Sequence, residues 1–150
     1  GVSKQAGEHL VALANARHLV IRSAGLYGTA TSRKGWTFPE LMVTKARTEG
    51  VLRVVADQAL SPTYTHDLAE ATLALMRADA SGLFHLANAG ECSWHEFAEA
   101  TGTTRQPGKA ARPPYSAMAS ARLERAGVEP LRPWRHALAH YLAAKGIGGA

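Results

Sequence analysis

The sequence predicts an α/β protein built on a mainly parallel sheet. Helical apolar stripes alternate with short apolar runs, the pattern of a sheet covered by crossover helices. The runs are His18–Arg22, Leu52–Val55 and Gly82–Leu86, and the first of them is best read as a buried parallel strand. Helix-start signals recur between them, including two Ser/Thr-x-x-Glu boxes at Thr37–Glu40 and Ser93–Glu96, each satisfying orphan N–H groups at a helix N-terminus.

Taken in order, residues 2–15 place Val2, Ala6, Leu10, Leu13 and Ala14 on one helical stripe. The strand at 18–22 follows. Thr37 with Glu40, and proline in the first turn at Pro39, predict a helix from about 38 to 48. A second strand spans 52–55. Thr65 is a candidate cap for a helix over 66–77, with Asp67 well placed against the helix dipole. A third strand covers 82–86, and the Ser93 box opens a short helix to about 101. Residues 101–114 are rich in Gly, Pro and Arg and read as loop. The last helix starts at Pro133, carries Trp134, Ala137, Leu138, Tyr141 and Leu142 on one stripe, and stops at Gly146.

Composition narrows the classes. With 46% apolar and 19% charged residues, the chain has the balance of a globular protein. No apolar run approaches the ~18 residues of a membrane span, so no membrane association is expected. The lone cysteine, Cys92, excludes an internal disulfide framework and suits a reducing cytoplasm. The net charge of +5 is uneven. Residues 1–101 hold nine Lys/Arg and ten Asp/Glu, whereas 102–150 hold eight and two. Such an excess steers anions, a nucleotide diphosphate among them. Without a nucleic-acid fold motif, no nucleic-acid partner is expected.

The first residues carry the chemistry. Gly1-Val2-Ser3-Lys4 reads as the tail of Tyr-x-x-x-Lys, with the tyrosine position just before Gly1. Residues four apart on a helix share a face. A lysine there depresses the phenol's pKa and makes it a usable proton donor. On this reading the chain is the back part of an enzyme. It contains no Gly-x-Gly-x-x-Gly turn to cradle a pyrophosphate, so tight NAD(P)H binding by these residues alone is not expected.

Further segments follow Lys4 in one order. They are Ile21-Arg22-Ser23-Ala24-Gly25-Leu26-Tyr27-Gly28, then Val54-Val55-Ala56-Asp57-Gln58 running into Ser61-Pro62-Thr63-Tyr64-Thr65-His66-Asp67-Leu68-Ala69. Ser93-Trp94-His95-Glu96, Ala111-Arg112-Pro113-Pro114-Tyr115-Ser116 and Arg132-Pro133-Trp134 complete the series. Together they resemble the C-terminal half of the dTDP-4-dehydrorhamnose reductase family, extended short-chain dehydrogenases/reductases. The resemblance implies the C-terminal part of a Rossmann-like doubly wound parallel sheet plus a small α/β substrate-binding subdomain. Residues 1–101 would be the remainder of the cofactor domain interleaved with that subdomain, and 102–150 a basic closing segment.

The resemblance further implies that NADPH or NADH reduces the C4 ketone of dTDP-4-dehydro-L-rhamnose. Lys4 would be catalytic and would hold the nicotinamide ribose. Ser23, Ala24 and Gly25 would lie beside the cofactor, and Gly25, Thr37, Gln58, Arg112 and Ser116 on the dTDP-sugar side. A homodimer of the longer protein stays open. Three departures stand out. Gly25 replaces a tryptophan usual in the family, removing an apolar wall from the sugar. Thr37-Phe38 replaces Asn-Phe. The stretch between Phe97 and Arg112 is short, implying loss of part of a helix and a strand.

Other residues read as structural. Tyr27 and Tyr64 have no lysine four residues on and fit core packing, as do Trp94 and Trp134. His136 and His140 have a zinc-capable i, i+4 spacing, but Ala137 follows His136 and no third ligand is evident; a helix flank fits better, and no metal is expected. Two other functions remain in view: an NDP-sugar epimerase or dehydratase of the same superfamily, and a non-catalytic reductase-like subunit such as the regulatory subunit of methionine adenosyltransferase.

Overall fold

The computed structural model describes residues 1–30, 35–102, 105–108 and 114–147. Its helices are α1 (Val2–Ala14), α2 (Phe38–Glu49), α3 (Thr65–Arg77), α4 (Trp94–Glu99) and α5 (Trp134–Ala144), with a 3₁₀ turn at Glu124–Ala126. The strands are β1 (Leu19–Arg22), β2 (Leu26–Tyr27), β3 (Leu52–Val55), β4 (Ala59–Leu60), β5 (Thr63–Tyr64), β6 (Gly82–His85), β7 (Cys92–Ser93), β8 (Arg105–Gly108) and β9 (Tyr115–Ser116). β1 pairs in parallel with β6, β2 with β5, and β3 with β8. β4 lies between antiparallel β7 and parallel β9. The predicted α/β class with parallel pairing is what the chain adopts.

Local chemistry sets the helix starts. Glu40 folds back to accept from both the Thr37 backbone N–H (2.7 Å) and its hydroxyl (2.8 Å). Ser93 and Glu96 form the same reciprocal box, with the Glu96 N–H on Ser93 Oγ at 3.0 Å. The α3 start differs from the sequence reading. Tyr64 is the cap residue, Thr65 is already helical, and no side chain caps this end; Asp67 lies in the first turn, as expected. Gly146 ends α5 with φ +64°, a left-handed conformation glycine adopts without steric cost.

Two expectations are corrected in the 101–114 stretch. Residues 105–108 are a strand, in register with β3 from Leu52↔Arg105 to Val55↔Gly108, so this stretch does not lack its strand. The pairing supplies the ladder hydrogen bonds that β3 would otherwise leave open. Tyr115–Ser116 likewise extends the β4 sheet.

Three apolar clusters hold these pieces together. Tyr27, Tyr64, Phe97 and Tyr141 pack ring on ring, with Tyr27 centroids 5.2–5.6 Å from the other three. Trp134 and Leu138 of α5 close this cluster. The second joins Leu75, Phe84, Leu86, Leu123 and Leu131, and the third joins Met42, Leu52, Val54 and Ala98. Tyr27, Tyr64 and Trp134 are thus core residues and Trp94 is packed against the core, in agreement with their sequence reading. Helix α1 buries none of its residues; Val2, Leu10 and Leu13 of its apolar stripe are all exposed. No described helix is long and apolar enough to cross a membrane.

Candidate functional site

Lys4 lies in the first turns of α1, and Glu8 lies one turn further on the same face. Glu8 takes both forks of Arg22, from Nε at 2.8 Å and from Nη2 at 2.6 Å. Arg22 is the last residue of β1. This bidentate pair is therefore the strap that fixes α1, and Lys4 with it, against the carboxyl end of a parallel strand. Its hydrogen bond to Arg22 holds the Glu8 carboxyl below its ordinary pKa and raises that of the guanidinium. Both groups stay charged through neutral pH.

The strap borders a cavity of about 930 Å³ lined by Lys4, Gln5, Glu8, Arg22, Ser23 and Met118, with Ile21, Leu26 and Leu68 as its apolar wall. Ligands of open α/β sheets bind at this end of the strands. Two polar groups face chemistry not met inside the chain. Among the described residues, Lys4 makes no ion pair and the buried Ser23 Oγ has no hydrogen-bond partner. A buried hydroxyl without a partner is costly, which marks it as a contact for something polar.

The remaining predicted site residues fall elsewhere. Ala24 and Gly25 follow Ser23 but do not line this cavity. Gly25 has φ +58°, and a Cβ there would stand 3.0 Å from both Leu60 Cδ1 and the Ser61 carbonyl oxygen. The Leu60 side chain and the backbone of Ser61 and Pro62 fill the space beside it. Thr37 is buried in the α2 cap, its hydroxyl 2.7 Å from that of Tyr141. Gln58 is buried with interactions inside the fold. Ser116 donates to the Ala59 carbonyl at 2.9 Å on β9. Arg112 lies outside the described residues.

A second cavity, about 780 Å³, adjoins β9. It is lined by Ser61, Asn88, Glu91, Tyr115, Met118 and Ser120 among others. Met118 borders both cavities, and its backbone N–H donates to Ser61 Oγ at 3.0 Å. Tyr115 donates its hydroxyl to Glu91. Sequence reasoning passed over Glu8 and Met118 as site residues, and gave Arg22 only as the start of the strand-end stretch 22–28 beside the ligand. The Lys4-to-Glu8 spacing was the one signal available for Glu8; the partnership with Arg22 and the position of Met118 arise only on folding.

A helix strapped to the carboxyl end of a parallel strand, beside an open cavity, is the arrangement of a Rossmann-like α/β protein. More narrowly, the chain belongs to the family of the RmlD substrate binding domain, which matches residues 1–146. It is 41% identical to the spore coat polysaccharide biosynthesis protein SpsK of Bacillus subtilis, over 95% of this chain and 53% of that one. It is 38% identical to the dTDP-4-dehydrorhamnose reductase of Mycolicibacterium smegmatis, over 96% and 48% of the two chains. The crystal structure of a Bacillus anthracis dTDP-4-dehydrorhamnose reductase in complex with NADP superposes with a TM-score of 0.87 at 30% identity, covering 96% of this chain and 54% of that one. The chain thus spans about half the length of the relatives it matches.

Proposed function

We propose that the chain is the substrate-side half of an NAD(P)H-dependent sugar-nucleotide reductase. Its reaction is reduction of the C4 ketone of dTDP-4-dehydro-L-rhamnose to the alcohol, in the cytoplasm, with the longer protein as the active, dimeric unit. One observation carries this reading: Lys4 and the unpartnered Ser23 hydroxyl share one cavity at the carboxyl end of β1. The reductases of this family supply the chemical precedent, and the relative from Bacillus anthracis was solved with NADP.

The residues fit a nicotinamide nucleotide. Lys4 brings three donors and a positive charge, suited to ribose hydroxyls, and Ser23 brings a hydroxyl at the strand end. When bound, the cofactor supplies the hydride that reduces the carbonyl carbon. Lys4 orients the ribose and favours the phenolate of a tyrosine one turn earlier, so that the tyrosine gives up its proton to the nascent alkoxide. The Glu8–Arg22 strap keeps Lys4 from drifting, and rigid placement of this kind is itself a large share of catalysis. The cavity beside β9 takes the nucleotide-sugar, and the basic 102–150 segment, Arg112 included, attracts its diphosphate.

Sequencing the coding DNA upstream of Gly1 tests the reading first. It requires an in-frame tyrosine codon directly before Gly1 and a glycine-rich strand–turn–helix further upstream. A different residue at that position overturns it. In the protein carrying that tyrosine, dTDP-4-dehydrorhamnose-dependent NADPH oxidation is expected, and Lys4→Met should lower kcat by about 100-fold or more.

A further inference from the structure

Among the described residues, Met118 alone lines both the Lys4 cavity and the cavity beside β9. It lies in the irregular 117–120 stretch that follows β9, yet its backbone is held from two sides. Its N–H donates to Ser61 Oγ at 3.0 Å, and the same hydroxyl donates to the Met118 carbonyl at 3.4 Å. Ser61 is fully buried and directly follows β4, whose parallel pairing with β9 stops at Leu60↔Ser116. The serine side chain carries the ladder one step further, where Pro62 has no N–H to give. Two residues beyond Met118, Ser120 Oγ accepts from the Ala87 N–H at 3.4 Å.

A backbone pinned in this way fixes where the side chain begins. Met118 is half-buried, and its neighbours Ala117 and Ala119 carry only a methyl each. On the Lys4 side the cavity wall is apolar through Ile21, Leu26 and Leu68. On the β9 side it turns polar at Asn88 and Glu91. A ligand that occupies both cavities meets Met118 where they adjoin. What it meets there is an unbranched thioether, which adapts its shape to an apolar group and offers a hydroxyl only a weak acceptor.

We propose that Met118 is a specificity-determining residue, the apolar contact for the methyl group of a 6-deoxyhexose. This rests on the reductase reading, in which the ketone is reduced beside Lys4 and the nucleotide extends along the β9 side. The hexose then lies between them, against Met118. A 6-deoxy sugar carries its methyl on C5, next to the C4 carbon that reacts, so both reach the junction of the cavities together. A sugar with a hydroxyl at C6 buries that hydroxyl against the thioether without a partner, which is costly. Ser61 is the positioning residue that acts through Met118.

The test uses the longer protein carrying the upstream tyrosine, run in the direction of alcohol oxidation with NADP⁺. Two substrates are compared, dTDP-L-rhamnose and its counterpart with a hydroxyl at C6. The parent should favour the 6-deoxy sugar by about 10-fold or more in kcat/KM, within the range an apolar pocket gives against one added hydroxyl. Met118→Gln, similar in length but polar, should bring that ratio close to one, and Met118→Ala should lower it. Met118→Leu should keep it. A merely structural role would slow both sugars alike and leave the ratio unmoved, and circular dichroism verifies that the variants keep the fold. A parental ratio in both Met118→Gln and Met118→Ala overturns the inference, as does a parent that treats the two sugars alike; in either case oxidation of dTDP-L-rhamnose by the parent leaves the reductase reading standing. A parent inactive on both sugars overturns that reading, and this inference with it.

Discussion

Arg132 grips Asp67 with both arms of its guanidinium, Nε to Oδ2 at 2.9 Å and Nη2 to Oδ1 at 2.6 Å. Asn88 completes the arrangement, donating to Asp67 Oδ2 at 2.7 Å and accepting from the Tyr64 N–H at 2.8 Å. Asp67 lies in the first turn of α3, Asn88 follows β6, and Arg132 precedes α5. One buried carboxylate thus fixes three elements around the aromatic cluster.

Removing the cation should strand that carboxylate. Arg132→Met is expected to cost about 2 kcal/mol, below the ~3–5 kcal/mol of a fully buried pair because the guanidinium is 35% exposed. Urea unfolding measures it. A loss under about 0.5 kcal/mol would mean that Asn88 and the backbone, not the ion pair, fix this junction.

The same carboxylate gives acid sensitivity. Burial pushes its pKa up, but the hydrogen bonds from Arg132 and Asn88 outweigh burial and hold the net value below the ordinary 3.8. A depressed folded-state pKa means that its stabilisation is complete above the unfolded-state value. It is lost as pH falls from about 3.8 through the folded value. Asp67→Asn should flatten the decline in Tm across that acid window while lowering stability at neutral pH. An unchanged slope would assign the acid loss to other carboxylates.

Thr37 joins a helix cap to the core. Its hydroxyl meets both Glu40 and the buried hydroxyl of Tyr141, so Thr37→Val should remove the cap and leave Tyr141 unsatisfied. The expected cost is about 1–3 kcal/mol. The double variant with Tyr141→Phe should recover part of it, since both polar groups are then gone. Strict additivity in a double-mutant cycle would show that the two hydroxyls are not coupled.

Gly25 should resist replacement. With φ +58° and backbone atoms 3.0–3.1 Å from an ideal Cβ, Gly25→Ala should destabilise by more than ~1 kcal/mol. Gly25→Trp should do worse. A variant carrying tryptophan at full stability would mean that this loop has a second conformation.

Helices α2 and α5 were legible because their signals are local: Pro39 and a Thr–Glu box, or a proline start and a glycine stop. Strands β1, β3 and β6 were legible as apolar runs. Strand β8 was not, since Pro107 and Gly108 oppose strand propensity, and its identity comes from pairing with Val54 and Val55. The two-residue strands carry too little pattern to be seen without their partners. At the cavity, spacing singles out Lys4, and the resemblance alone singles out Ser23. The meeting of Glu8 with Arg22 was not legible, because it joins elements that propensity treats separately.

The β1–β6 register pairs Leu19 with Gly82, positions 63 residues apart in sequence. A ladder of this span forms only after a large loop has closed, so its loop-closure entropy falls early and its reward late. Refolding should therefore show fast helix signals from α3 and α5, followed by a slower phase in which amides of β1 and β6 become protected from exchange. During that interval the apolar strand at Leu19–Ile21 is unpaired, and protein concentration, more than final stability, sets how much of the chain reaches its native form.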